Sequence, residues 1–446
     1  MLYTNKLLAE LEAKAERFSG FQDAYGRRLD AYRAALASLG TRYPTAAAIS
    51  AAQRDLMANE PAGALPTTEY DTWRARKLPG APRLPFARAF AHHAAARAWA
   101  EGLRGVTTFA VDGSQLLPWR DVSVPVAMVQ AGLFENPHQP PAPYIKDVAL
   151  ELLPPDDLLG SPTGGASHTD DLSDDLAGAD ERGGSGQLAS EEAVHLRRFQ
   201  LEARTIIARM EHHASRRAAK GQTKDQADDH LVVGFLDGSL IVSFALKMSP
   251  AYKRAYVAAA RDLLEASARC RVPLVAYIDT SYARDIAGML RRLALDERTP
   301  GPREPLPEPR GVHDALLWRG VLGWGDRTPA FLSARGDVLA SGEYGEQGSQ
   351  IAFVYLQAAL DRPPARLEFP RWVLDAGLLD RVLDTVRAEI IAGNGYPYPL
   401  ESADAVAVIS LADRAQFYRL FQQFTERRGL AFSFSRKVLS KSRRRV

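Results

Sequence analysis

The chain has 446 residues, 46% hydrophobic and 25% charged, a globular composition that excludes wholesale disorder and allows one large domain or two to three ordinary ones. A formal net charge of +2 announces no nucleic-acid partner by itself, but it hides an acid-rich stretch at 156–192 and a basic end, "SRKVLSKSRRRV". The single cysteine, Cys270, excludes an internal disulfide and a CxxC zinc pattern.

The N-terminus, "MLYTNKLLAELEAKAERF", is charged and carries Leu7, Leu8, Leu11, Ala15 and Phe18 at helical spacing. It has no signal-peptide apolar core, and no run approaches the ~20 apolar residues of a membrane span. The expectation is a cytoplasmic protein with no membrane partner. The first apolar stripe ends near Gly20, and a second helix, Phe21 to Leu39, stops at Gly40. Pro and Gly break residues 61–83, which read as loop, and Ala-rich 87–103 reads as a helix. Residues 1–104 are therefore expected as an N-terminal helical segment, with the main domain over 105–446.

Strand patterns follow at "VTTFAVDGSQ", 122–136 and 142–153, with short turns that predict an antiparallel meander. Residues 155–190 are low-complexity, acidic and Gly-rich, and are expected to be a disordered insert. A helix is predicted over 191–213, with Glu202 inside its broken apolar stripe. Beyond a further strand, 250–270 reads as a helix opened by Pro250, 272–279 as an apolar strand and 281–293 as the next helix. Strand-helix alternation is α/β organisation. A Pro-rich loop at 299–310 precedes two strand candidates, "IAFVYLQAAL" and "ARLEFPRWVL"; the remainder is helical up to a basic tail at 432–446.

One phrase occurs twice, in "TFAVDGSQLLPW" (108–119) and "VGFLDGSLIVSF" (233–244). Asp-Gly is ordinary turn chemistry, so each copy alone reads as a strand-end turn. Two copies place Asp112 and Asp237 after apolar strand cores, where neighbouring carboxylates repel unless a divalent cation lies between them. Glu202 is either a surface ion pair with Arg198, four residues before it, or a third oxygen ligand. In "YIDTSYARD", capping of the next helix is the expected role for one of Asp279 and Asp285. Asp404 lies in an apolar helical run and shares a face with Glu401. An oxygen-only acidic set suits Mg²⁺ or Mn²⁺, and one or two such ions are a standard means of hydrolysing phosphodiesters.

The ordered set "FAVDGS", "RRFQLEAR", "FLDGSL", "VAYIDTSYARDIAGML", "AFVYLQ", "ARLEFPRWV" and "GYPYPLESAD" resembles the NurA nucleases, from about residue 105 to the end. That resemblance implies an RNase H-like α/β core with a mixed sheet and flanking helices. It further implies a homodimer and Mn²⁺-dependent cleavage of DNA, as 5′-3′ exonuclease and single-strand endonuclease. The implied setting is DNA end resection in double-strand break repair, beside a HerA-type hexameric ATPase. Carried over position by position, Asp112, Glu202 and Asp237 match the metal-binding carboxylates and Tyr277 the site tyrosine. Asp404 stands where the family usually has His, and an Asp ligates Mn²⁺ without offering imidazole chemistry. Arg284 and the tail residues Arg443 and Arg444 are candidate DNA-backbone contacts, or else a solvated basic surface. No GxxxxGK[ST] occurs, so ATP-driven movement would come from a partner. The rival expectation is a catalytically weak scaffold that keeps the fold and binds DNA or the ATPase.

Overall fold

The computed structural model describes residues 2–56, 63–88, 90–102, 104–119, 122–159, 185–221, 230–296, 305–335, 344 and 350–433. In chain order the first elements are α1 (Thr4–Glu12), α2 (Ala15–Arg42), α3 (Ala46–Asp55), β1 (Gly63–Pro66), α4 (Thr68–Ala75), α5 (His93–Glu101), β2 (Thr107–Leu116), β3 (Ala127–Asn136) and β4 (Ile145–Leu153). Then come α6 (Pro155–Leu159), α7 (Ser185–Ala219), β5 (Val232–Asp237), α8 (Pro250–Cys270), β6 (Leu274–Ile278), α9 (Asp285–Leu293) and α10 (Asp314–Leu317). The last are β7 (Phe331–Ala334), β8 (Ile351–Leu356), β9 (Ala365–Pro370), α11 (Trp372–Asp375), α12 (Leu379–Ala392), α13 (Tyr398–Ala407) and α14 (Leu411–Arg427). The protein is a mixed α/β fold whose strands are flanked by helices.

The chain divides into two units, Met1–Ala91 with Tyr277–Arg371, and His92–Ala276 with Trp372–Val446. In the first, the strand order is β1-β7-β8-β9, each strand antiparallel to its neighbour. Tyr32 and Leu36 of α2, Ile49 of α3 and Trp73 of α4 share one apolar core with Ile286, Met289 and Leu290 of α9 and Phe353 of β8. A helix with one apolar stripe has to bury it against something, and here the partner arrives more than 200 residues later.

The same unit corrects the loop expected at 61–83, which contains β1 and α4. Pro66 ends a strand at the edge of the order, where its missing N–H costs no ladder bond. Gly63 is there because a Cβ would meet the Asp285 carbonyl oxygen at 2.4 Å. Helix α2 runs on through Gly20 rather than breaking there. Neither Asp279 nor Asp285 caps α9. The Asp314 carboxylate accepts from the Ile286 and Ala287 amides, both at 2.9 Å. Asp285 is instead buried against Arg366 at 3.2 Å, and Arg366 also holds Glu368 at 2.7 Å.

In the second unit the order is β6-β5-β2-β3-β4. β2, β3 and β4 form the predicted antiparallel meander, and β2 runs parallel to β5. Phe109, Ala110 and Val111 are all buried because β2 is covered on both faces. On one face lies α7: Phe109 stacks on His213, and Glu135 pairs with Arg209. On the other lie α12 and α13: Thr108 donates to Glu389 at 2.6 Å, and Gly132 packs against the α13 backbone.

The described ends of the acidic stretch 155–190 are helical, in α6 and in the start of α7, and Leu158 is buried. Residues 160–184 of that expected insert lie outside the described residues, as do 434–446 of the basic tail with Arg443 and Arg444. No described helix is long and apolar enough to cross a membrane.

Candidate metal centre

The two Asp-Gly-Ser copies do not play the same structural part. In β5, Asp237 is the last strand residue and Gly238 turns away at φ +113°. In β2 the strand continues through Asp112, Gly113 and Ser114 to Leu116, so the first copy is neither a turn nor a strand end. The last parallel pair is Val111 with Leu236. One step further, Asp112 and Asp237 stand side by side on neighbouring strands and point to the same face.

That face is set by two glycines. Gly132 is the β3 partner of Asp112, and its own Cβ would meet the Ala407 amide nitrogen at 2.6 Å and the Ala403 carbonyl oxygen at 3.0 Å. Lacking a side chain, it lets the α13 backbone settle onto the strand, fastened by Gln130 donating to the Ala407 carbonyl at 2.5 Å. This carries Asp404 towards Asp112. Gly113 points to the opposite face. A Cβ there would fall 1.9 Å from Glu202 Oε1, so the Glu202 carboxylate fills the space that a side chain would take. Glu202 thus reaches across β2 from α7 towards the two aspartates.

Glu202 and Arg198 do form the ion pair suggested by their spacing, at 3.3 Å, but it is no surface pair, since Glu202 is only 6% exposed. Arg198 also donates to the Gly113 carbonyl at 3.1 Å, and the Gly113 amide donates to Asp112 Oδ1 at 2.7 Å. Glu202 Oε1 accepts no hydrogen bond although it is buried. Asp237 and Asp404 are exposed and Asp112 is half-buried, so the cluster has a buried floor and an open rim.

Asp112 is coupled to Asp237 and Asp404, and Glu202 to Asp112 and Asp237. Burial pushes the Asp112 carboxyl up to about 6; the Gly113 amide opposes this, and the charges of Asp237 and Asp404 add to it. Burial pushes Glu202 up to about 7; the Arg198 guanidinium opposes, while Asp112 and Asp237 add. Charge coupling reaches further than coordination, which needs oxygens within ~2.0–2.6 Å of the ion. Among the described residues no three His, Cys, Asp or Glu side chains stand close enough to hold an ion as they are placed. The donor set nonetheless fits a hard divalent cation: all oxygen, mutually repelling, with one buried carboxylate oxygen lacking a hydrogen bond and two exposed aspartates at its rim.

The family model for the NurA domain matches residues 106–409. The chain belongs to the NurA family. No curated protein matches it. Among solved structures it is similar to the NurA nuclease from Sulfolobus solfataricus at 13% identity and TM-score 0.39, covering 72% of this chain and 85% of that one. A NurA structure with manganese matches at 11% identity and TM-score 0.31, covering 71% and 89%. One bound to dAMP and manganese matches at 11% and 0.28, covering 68% and 85%. At such TM-scores the family assignment rests on the domain match.

Of the expected site residues, Asp112, Glu202, Asp237 and Asp404 come together in one unit. Tyr277, fully buried at the point within β6 where the chain passes from the second unit into the first, and Arg284, exposed at the start of α9, belong to the first unit. The residues that sequence reasoning missed are the glycines. Gly113 was visible only as half of a turn dipeptide, and Gly132 carried no signal, because its role depends on strand register.

Proposed function

We propose that this NurA-family chain is a Mn²⁺-dependent deoxyribonuclease that processes DNA ends, cutting as a 5′-3′ exonuclease and single-strand endonuclease. The observation that carries the reading is that Asp112 lies within charge-coupling reach of Asp237 and Asp404, and Glu202 within reach of Asp112 and Asp237, although as placed no three of them could share one ion. Support also comes from the family match and from the manganese and dAMP named for NurA structures. These four residues would hold one or two Mn²⁺, or Mg²⁺. The chemistry such ions supply when bound is Lewis-acid polarisation of the phosphate and a nucleophilic water at neutral pH. The chain's own part is to gather the carboxylates: the Gly113 amide fixes Asp112, and Arg198 keeps Glu202 turned to the site. Tyr277 as an orienting group, the homodimer, the HerA-type partner and the repair role follow from the family resemblance; Arg284, Arg443 and Arg444 are proposed as DNA-backbone contacts from their charge, and a cytoplasmic location is proposed with them.

A second reading, a catalytically weak scaffold binding DNA or the ATPase, is favoured by Asp404 at the usual His position and by the spread of the carboxylates. Incubation with labelled single-stranded DNA in Mn²⁺, Mg²⁺ or EDTA decides between them. The nuclease reading expects degradation with Mn²⁺ that Asp112→Ala abolishes. A wild type inert even with its ATPase present hands the case to the scaffold, and equal cutting by Asp112→Ala removes the site.

A further inference from the structure

At the opposite end of β2 the second unit carries a cavity of about 350 Å³, unrelated to the carboxylates. Its lining includes Thr107, five residues before Asp112, which at ~3.3 Å per strand residue puts it roughly 17 Å away. The volume falls at the lower end of the ~300–1,000 Å³ range of small-ligand pockets.

The charge there is one-sided. Among the described residues, Arg216, Arg217, Lys220 and His230 line it, and the one acid on its wall is Glu135. Glu135 is already committed: Arg209 grips it with two hydrogen bonds of 2.5 Å, and His213 adds a third at 2.8 Å. Burial alone would raise the Glu135 carboxyl, but the hydrogen bonds and charges of His213 and Arg209 outweigh it and hold it down at about 2; its negative charge is taken up by those two partners. Arg217 donates to the Cys270 carbonyl. Among the described residues, the Arg216 and Lys220 side chains have no hydrogen-bond or ion-pair partner. Basic groups in the last turn of α7 complement the helix dipole. That accounts for their presence on the helix, but not for the concavity, or for its apolar wall of Pro137, Pro143 and Ile145.

We propose that this cavity is a second anion site, taking the phosphate of a single nucleotide, either free or at the end of a DNA strand. Two guanidinium groups and an ammonium meet phosphate oxygens well, Arg by bidentate hydrogen bonds and Lys as a point charge. The apolar wall takes the sugar or base, and a pocket of this size admits one nucleotide rather than a running strand. The site stands whether or not the chain cuts DNA.

The test is calorimetric titration in EDTA, which keeps metal chemistry out. The probes are dAMP and a short single-stranded DNA with or without a 5′-phosphate. Wild type is compared with Asp112→Asn/Asp237→Asn and with Arg216→Glu/Lys220→Glu, each checked for folding by circular dichroism. The site expects dAMP, or the 5′-phosphorylated strand over its unphosphorylated twin, to bind wild type and the aspartate variant alike. The charge reversal should then weaken that binding, or erase the preference for the phosphate, at least tenfold. Binding by dAMP assigns a free nucleotide; preference for the phosphorylated strand without dAMP binding assigns a DNA end. The proposal is overturned if neither probe binds, if charge reversal changes nothing, or if binding is lost with the aspartate variant instead.

Discussion

The same three residues, Asp-Gly-Ser, serve two ends in this chain. At 237–239 they finish a strand: Asp237 is exposed, and Gly238 takes a positive φ with nothing within 4 Å of where a Cβ would be. At 112–114 they lie inside a strand: Asp112 is half-buried, and a Cβ on Gly113 would meet Glu202 Oε1 at 1.9 Å and Arg198 Cγ at 2.8 Å. One glycine is required for its backbone, the other for its missing side chain. A tripeptide therefore does not define a role; what covers it does.

Under the nuclease reading, the aspartates themselves give the largest effects. Asp112 is the hub, coupled to Asp237, Asp404 and Arg198 and fixed by the Gly113 amide. Losing several kcal/mol of charge stabilisation corresponds to about a thousandfold in rate. Asp112→Ala is expected to fall by that much, and Asp404→Ala by less, because Asp404 sits on the exposed rim. Single-turnover cleavage rates in Mn²⁺ decide it; a greater loss in Asp404→Ala would move the hub to α13.

Gly113→Ala comes next and strikes at the comparison directly. The added methyl evicts a flexible carboxylate and an arginine stem rather than backbone, so the strand should survive. Activity should fall about as far as in Glu202→Ala, roughly 10–100-fold, the range for a disturbed supporting shell. The double variant Gly113→Ala/Glu202→Ala should be no worse than either single one, since both remove the same group. Additive losses in that cycle would show that Gly113 acts on something other than Glu202.

How far the sequence foretold this divides along the same line. The carboxylates were legible because a chemical type at a recurring local position can be read without tertiary knowledge; Asp112, Asp237 and Glu202 all stood out. The meander and the run α8–β6–α9 were legible from period and length. What escaped depends on partners far along the chain. "ARLEFP" reads as an ordinary strand, yet all six residues are buried, because Arg366 finds Asp285 across 81 residues and lies over the Phe353 ring. β1 escaped because a four-residue edge strand bounded by Gly and Pro looks like a turn. Gly132 escaped because only register reveals that it faces Asp112 and a helix.

Protonation gives a smaller effect, with a definite sign. Glu202 is held near 7 against an ordinary 4.5, so the folded state binds its proton more tightly than the unfolded one. The stabilisation is fully present below about pH 4.5 and is lost as pH rises through 7. At about 1.4 kcal/mol per pKa unit the cost is on the order of 3 kcal/mol. Urea unfolding of the metal-free protein at pH 4.5 and pH 8 should therefore show Glu202→Gln losing less stability than wild type over that span. Parallel slopes in the two proteins would mean that Glu202 ionises in the folded state as easily as in water. Mn²⁺ should stabilise wild type more at pH 8 than at pH 5.5, where protons compete for the same oxygens.

The smallest effect completes the comparison from its other side. Gly238→Ala adds a methyl into open space, so no neighbour is displaced. The cost is backbone strain at φ +113°, on the order of 1–3 kcal/mol, felt in stability because Gly238 turns the chain just after β5 rather than making room for a carboxylate. Gly238→Ala should thus unfold at lower urea while keeping, per folded molecule, a cleavage rate within about threefold of wild type, a difference of ~0.7 kcal/mol in barrier. Gly113→Ala should do the reverse, losing rate with little loss of stability. If the two variants lost rate and stability in the same proportion, both glycines would be acting through the backbone, and the Glu202 carboxylate would not need the gap that β2 leaves for it.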